Sequence, residues 1–229
     1  MTTIKSPEQV EREFASALGA DLGPYFHALY VDVAWLETKW REFRELYGTS
    51  EARVDLLNQA AWYFFGTLHD TLFEDLLLHL TRLTDQPRIG KTENISIRGL
   101  PGLFPDSSRA EVAALVDVAV AKCAFARDWR NRHIAHRDRA LALDSNATQL
   151  AFASRGSIRD AIDSLTKVIV HVHERHLGGG LSLDMAGSPG DALELLAVIQ
   201  DGVTARKARE AFWARGEQPP DWLLKRPAI

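Results

Sequence analysis

The fold class that this sequence predicts is an all-α bundle, on three observations. Apolar residues recur at helical spacing over most of the chain, with no pair of alternating stretches to make a sheet. One pattern, Leu56 to Leu83, runs without proline and with a single glycine, Gly66, and is apolar nearly all round. The breaks between patterns hold proline, glycine and Ser/Asp capping residues. At 229 residues, 46% hydrophobic and 25% charged, the composition is that of a globular protein with one large core.

The first helix is expected over residues 7 to 18, where Ser6 precedes Pro7 and Val10, Phe14, Ala17 and Leu18 form a stripe ending at Gly19. A second runs from near Pro24 to Tyr47, with Gly48 as its stop. Ser50 and Glu51 start the long third helix. Its thoroughly apolar surface implies a central place in the bundle or cover by a second subunit. Within it, Asp75 and His79 stand four residues apart as an acid-histidine pair, open to reading as a metal site or proton relay but more simply as solvated or hydrogen-bonded between helices. Asp70 and Glu74 have the same spacing with like charge, so they should face solvent or separate partners.

Gln86 to Asp106 breaks into Pro87, Gly90, Gly99, Pro101, Gly102 and Pro105 and reads as a long loop, with "NISIRGL" extended and Lys91 and Arg98 adding positive charge. Asp106-Ser107-Ser108 caps a fourth helix, and Ser157 a fifth reaching about His176. His171, His173 and His176 point in different directions on such a helix and do not read as a metal cluster. The domain plan is a helical body over 1–177, a glycine-rich linker over 178–190, and a C-terminal helix and tail over 191–229 that packs on the body or on a partner.

Composition narrows function. A formal charge of −4 and a pI near 6.1 exclude a general polycation, so nucleic-acid contact must come from a local patch. Cys123 is the sole cysteine and reads as a small buried hydrophobe in a reducing, cytoplasmic setting. No apolar run is long enough to cross a bilayer and no signal core follows Met1.

The chemical stretch is Arg127 to Arg139. It holds five arginines, two histidines and two aspartates, a local net charge of +3 from Arg and Asp. Arginine offers a permanent planar fork for phosphate, and histidine titrates near neutrality, so together they suggest phosphodiester chemistry. On an ideal helix Arg130 and His136 would lie about 120° apart, since each residue advances about 100°. Either the helix distorts there or the site is assembled from two chains.

The order Arg130-Asn131, a spacer, then His136 resembles the signature of HEPN-superfamily ribonucleases. The wording "DWRNRHIAHRD" is similar to that of abortive-infection HEPN proteins, bacterial phage-defence factors. "LLNQAAWYFFGTLHDTLFEDLLLHLTRLTD" and "GKTENISIRGLP" extend the likeness over roughly residues 15 to 175. The resemblance implies a HEPN-like bundle that cleaves RNA, with tRNA among the candidate substrates, without metal or other cofactor, at a groove shared across a homodimer. It implies catalytic roles for Arg130, Asn131 and His136. Arg127, Arg132, His133, Arg137 and Asp138 would support them or bind phosphate, with Arg82 and Asp85 at most assisting. An active toxin of this kind would need restraint by an antitoxin or regulatory partner. The competing readings are a non-catalytic HEPN-like module that binds RNA, a nucleotide or an antitoxin; a structural helical protein; and a metal-dependent hydrolase using His133, His136 and Asp138.

Overall fold

The structure is a computed structural model and describes residues 7–179, 181, 183 and 190–224. Ten α-helices account for most of these residues: α1 (Pro7–Leu18), α2 (Leu22–Tyr47), α3 (Glu51–Leu83), α4 (Leu100–Leu103), α5 (Asp106–Lys122), α6 (Ala124–Trp129), α7 (Arg139–Leu143), α8 (Arg155–His176), α9 (Ala192–Ala214) and α10 (Asp221–Leu224). The chain is all-α, as its periodicity predicts. Two-residue strands β1 (Arg88–Ile89) and β2 (Thr92–Glu93) pair antiparallel, Arg88 with Glu93 and Ile89 with Thr92.

By internal contact the chain divides into two compact units, Met1–Trp40 with Phe73–Met185, and Arg41–Leu72 with Ala186–Ile229. In the first, α5 packs along α8, and Val112, Val116 and Ala119 of α5 and Ile158, Ile162, Leu165 and Ile169 of α8 are all buried. Phe26, Leu29, Val33 and Leu36 of α2 and Leu76, Leu77, Leu80 and Leu83 of α3 are buried in the same unit. Truncating one such leucine to alanine costs about 2–5 kcal/mol. The aliphatic core is pinned by charge: Glu37 of α2 accepts two hydrogen bonds from Arg159 of α8, at 2.9 and 2.7 Å, and a third from Thr166 at 3.0 Å. At the start of α2, Gly23 lets α1 approach closely; a Cβ there would fall 2.5 Å from the Ala15 Cα.

The second unit has its own apolar cluster, in which Leu46, Leu57 and Phe65 meet Ala192 and Leu196 of α9. The Glu42 carboxylate accepts from the Ala192 N–H at 2.7 Å, and Asp191 accepts from Leu193 and Glu194, so the first turn of α9 is doubly capped. Inside α3, Ala61 leaves helical geometry (φ −162°, ψ 76°), and the next three residues, Trp62, Tyr63 and Phe64, are exposed.

Several expectations need correction. The Asp75–His79 pair does not form: Asp75 binds Lys39 at 2.7 Å, and His79 lies 3.3 Å from Asp32, so each turns to α2 instead. Asp70 and Glu74 do take separate partners, His69 and His133. The loop after α3 is more ordered than its proline and glycine content implies, since Gly90 (φ +62°) turns the hairpin and residues 97–103 are helical rather than extended. Arg98 caps α3 by donating to the Thr84 carbonyl. The cap of α8 is Ser154, not Ser157; Ser157 completes a capping box at the third helical position. Much of the 178–190 segment lies outside the described residues.

Candidate functional site

The basic run is not one helix. Leaving α5, the chain turns at Cys123 into α6, and from Arg130 to Ile134 it widens into a π turn in which the Ala135 N–H donates to the Arg130 carbonyl at 2.9 Å. Such i to i+5 turns are rare and gather at functional sites. A bend at Ala135 and His136 follows. Asp138 then caps α7, accepting from the Leu141 N–H at 2.9 Å. The helix therefore distorts within the motif, and the 120° argument does not apply, because His136 stands beyond the helical turns.

Two groups of the run are structural in their contacts. Arg127 donates to Asp85 at 2.7 Å and to the Thr84 carbonyl at 3.0 Å, with the Thr81 carbonyl at 3.3 Å. It thereby satisfies acceptors left over at the end of α3. Arg82 donates to Asp32 at 2.6 Å, with His79 Nε2 at 3.0 Å, and so points to α2. Burial alone would raise the Asp32 carboxyl; the hydrogen bonds and charges of His79 and Arg82 outweigh it and hold the group below its ordinary value.

The second group fastens residues 148–151 over the motif. Ala151 is held by its whole peptide: its N–H donates to Asp128 and its carbonyl accepts from Trp129 Nε1, both at 2.8 Å. Arg132 donates to the carbonyls of Thr148 and Gln149 and lies 3.5 Å from Asp128 and 3.6 Å from Asp138. The Trp129 ring meets Phe73 edge-on at 5.4 Å and His133 at 5.6 Å, and His133 Nε2 lies 3.6 Å from Glu74. At Asp138 the Leu141 hydrogen bond, aided by the Arg132 charge, holds the carboxyl below its usual range.

What remains is half-buried at Arg130 and exposed at Asn131, His136 and Arg137. Arg130 donates to its neighbour Asn131 Oδ1 at 2.9 Å. His136 and Arg137 are exposed and make no hydrogen bond or ion pair among the described residues. An open cleft of about 550 Å³ brings together Arg132, His133, Arg137 and Asp138 with Trp129 and residues 149–153. Arg130, Asn131 and His136 are not part of its lining and stand beside it in the chain. The strap of residues 148–151 was missed by sequence reasoning. Its only sequence signal was the Asp128-Trp129 pair, two hydrogen-bonding side chains facing a polar connection.

Elsewhere, His173 stacks edge-on against Phe14, His176 packs on Phe104, and His171 lies 3.7 Å from Glu111, so the three histidines of α8 have separate surroundings. Among the described residues no helix is long and apolar enough to cross a membrane.

The structure is thus a helical domain whose basic Arg-Asn-(x)4-His run lies on a widened turn, of the HEPN type that the family match shows. The family model described as AbiU2 (HEPN_AbiU2) matches residues 19–195, and the chain belongs to this abortive-infection-type family of the HEPN superfamily. No curated protein and no solved structure matches the chain.

Proposed function

We propose that this protein is a metal-independent endoribonuclease acting in abortive infection, toxin-like, against phage. The observation that supports it most is the separation of roles within one basic run. Arg127, Arg132 and Asp128 are engaged in holding the fold, whereas His136 is left exposed with no partner among the described residues, six positions after an Arg130 braced by Asn131.

In this reading Arg130 binds the scissile phosphate and stabilises the charge of the pentacoordinate transition state. Asn131 is a positioning residue that fixes the Arg130 fork. His136 accepts the proton of the ribose 2′-hydroxyl as the 2′-oxygen bonds to phosphorus and the bond to the 5′-oxygen breaks. The histidine of a second subunit donates the proton that the departing 5′-oxygen takes up. The products are a 2′,3′-cyclic phosphate and a 5′-hydroxyl, and DNA, lacking the nucleophile, resists. The reading includes a homodimer with a composite groove, RNA as partner with transfer RNA among the candidate targets, and an antitoxin or regulatory partner for restraint.

The test is incubation of purified protein with total and transfer RNA in EDTA, followed by end-group analysis, with light scattering for the oligomeric state. Wild type should leave cyclic-phosphate ends. His136→Ala should lose about 10²–10⁴-fold in rate while its melting temperature and dimerisation stay unchanged. RNA bound but left intact by the wild type would replace this reading with the non-catalytic binding module, which the hydrogen bond that Arg130 donates to Asn131 also suits.

A further inference from the structure

The cleft next to the motif has a wall that transesterification does not use. At about 550 Å³ it falls within the range of small-ligand pockets, about 300–1,000 Å³. Leu141, Leu150 and Phe152 give its lining an apolar share, and His133 and Arg137 bring basic groups to it. Phe152 exposes 84% of its surface, more than any other large hydrophobic residue described.

That ring is not on a slack loop. It sits between Ala151, whose N–H and carbonyl are both held by side chains, and the Ser154 cap of α8. The backbone thus presents the ring to solvent from two anchored ends. Within the same cleft the two arginines differ. Arg132 is consumed by two carbonyls and two carboxylates, whereas Arg137 keeps its charge unpaired among the described residues. A presented aromatic face next to an uncompensated cation matches the two parts of an unpaired nucleotide, a stackable base and a phosphate. A base inside a duplex is already stacked on both faces and cannot offer one to Phe152.

We infer that this cleft binds one unpaired nucleotide of an RNA strand, its base stacked on Phe152 and a backbone phosphate on Arg137, so that the site selects single-stranded over duplex RNA. The inference rests on the ribonuclease reading for the identity of the polymer; the stacking itself does not require cleavage.

The experiment is fluorescence anisotropy with a labelled ten-nucleotide RNA, single-stranded or annealed to its complement. It is titrated with the full chain carrying His136→Ala so that nothing is cut. The single strand should bind more tightly than the duplex. Phe152→Ala should weaken single-strand binding about 5- to 100-fold, Phe152→Tyr should restore most of it, and Arg137→Gln should weaken binding and reduce its salt dependence. Because Phe152 and Arg137 are exposed, melting curves should coincide with the parent. Equal affinity for strand and duplex, no binding of either, or unchanged affinity in Phe152→Ala overturns the inference. Cleavage by the wild type with unchanged strand affinity in Phe152→Ala removes the cleft and keeps the ribonuclease. Phe152-dependent binding without cleavage does the reverse.

Discussion

Arg127 and Asp85 meet at 2.7 Å, and the same guanidinium reaches the carbonyls of Thr81 and Thr84, so the first arginine of the basic run closes the end of α3. This half-buried fork joins the Phe73–Trp129 ring contact and the Glu74–His133 approach in registering the helix that carries the candidate chemistry against the longest helix described.

Arg127→Ala should therefore destabilise the protein by about 1.5–3 kcal/mol, the range for a hydrogen bond to a charged group whose partner is left behind. Arg127→Lys should recover only part, because an ammonium cannot reproduce a planar fork shared between a carboxylate and two carbonyls. Urea denaturation of the full chain measures both. A variant as stable as the parent would show that α3 and α6 are held by their apolar contacts alone.

Trp129→Phe keeps the ring against Phe73 but removes the Nε1 donor to the Ala151 carbonyl. It should cost about 1 kcal/mol and loosen residues 148–152 in particular. Amide hydrogen exchange over that segment should quicken while the α5–α8 core keeps its protection. Exchange that quickens everywhere, or nowhere, would contradict the assignment of this strap to Asp128, Trp129 and Arg132.

The pH dependence of stability has a definite sign. Burial lowers the His173 pKa below 6.5 against the opposing pull of Glu174 and the Gly179 backbone, and burial with the charges of Arg175 and His171 lowers that of His176. The unfolded chain then binds more protons than the folded one as the pH falls below 6.5, so stability is complete above that value and declines beneath it. Thermal midpoints between pH 7.5 and pH 5 should fall, and the double variant His173→Gln, His176→Gln should show a flatter profile. The lowered carboxyls of Asp32 and Asp138 act further down, below their ordinary value of 3.8, and do not blur this window.

How much of this was legible beforehand differs by kind of interaction. Helix periodicity is local, and α1 falls where Val10, Phe14 and Leu18 place it, α3 where Ser50 and Glu51 do. Capping competes between neighbours, which is why Ser154 rather than Ser157 begins α8. Partners across long separations are invisible to spacing: Asp75 takes Lys39 and Asp85 takes Arg127, both over more than 35 residues. The run Arg127–Arg139 was evident from composition. Its division into anchors and exposed groups was not, because it depends on the π turn at Arg130 and on carbonyls some 16 to 22 positions further on.

Cys123, closing the turn between α5 and α6, is 1% exposed, and burial pushes its thiol up to about 12 against the lowering effect of Arg127. Thiol-directed reagents act on thiolate, so the native protein should react only slowly with a maleimide at neutral pH, which a timed labelling assay checks. Dyes or spin labels should thus go selectively to an engineered exposed site such as Phe152→Cys, with Cys123 left in place.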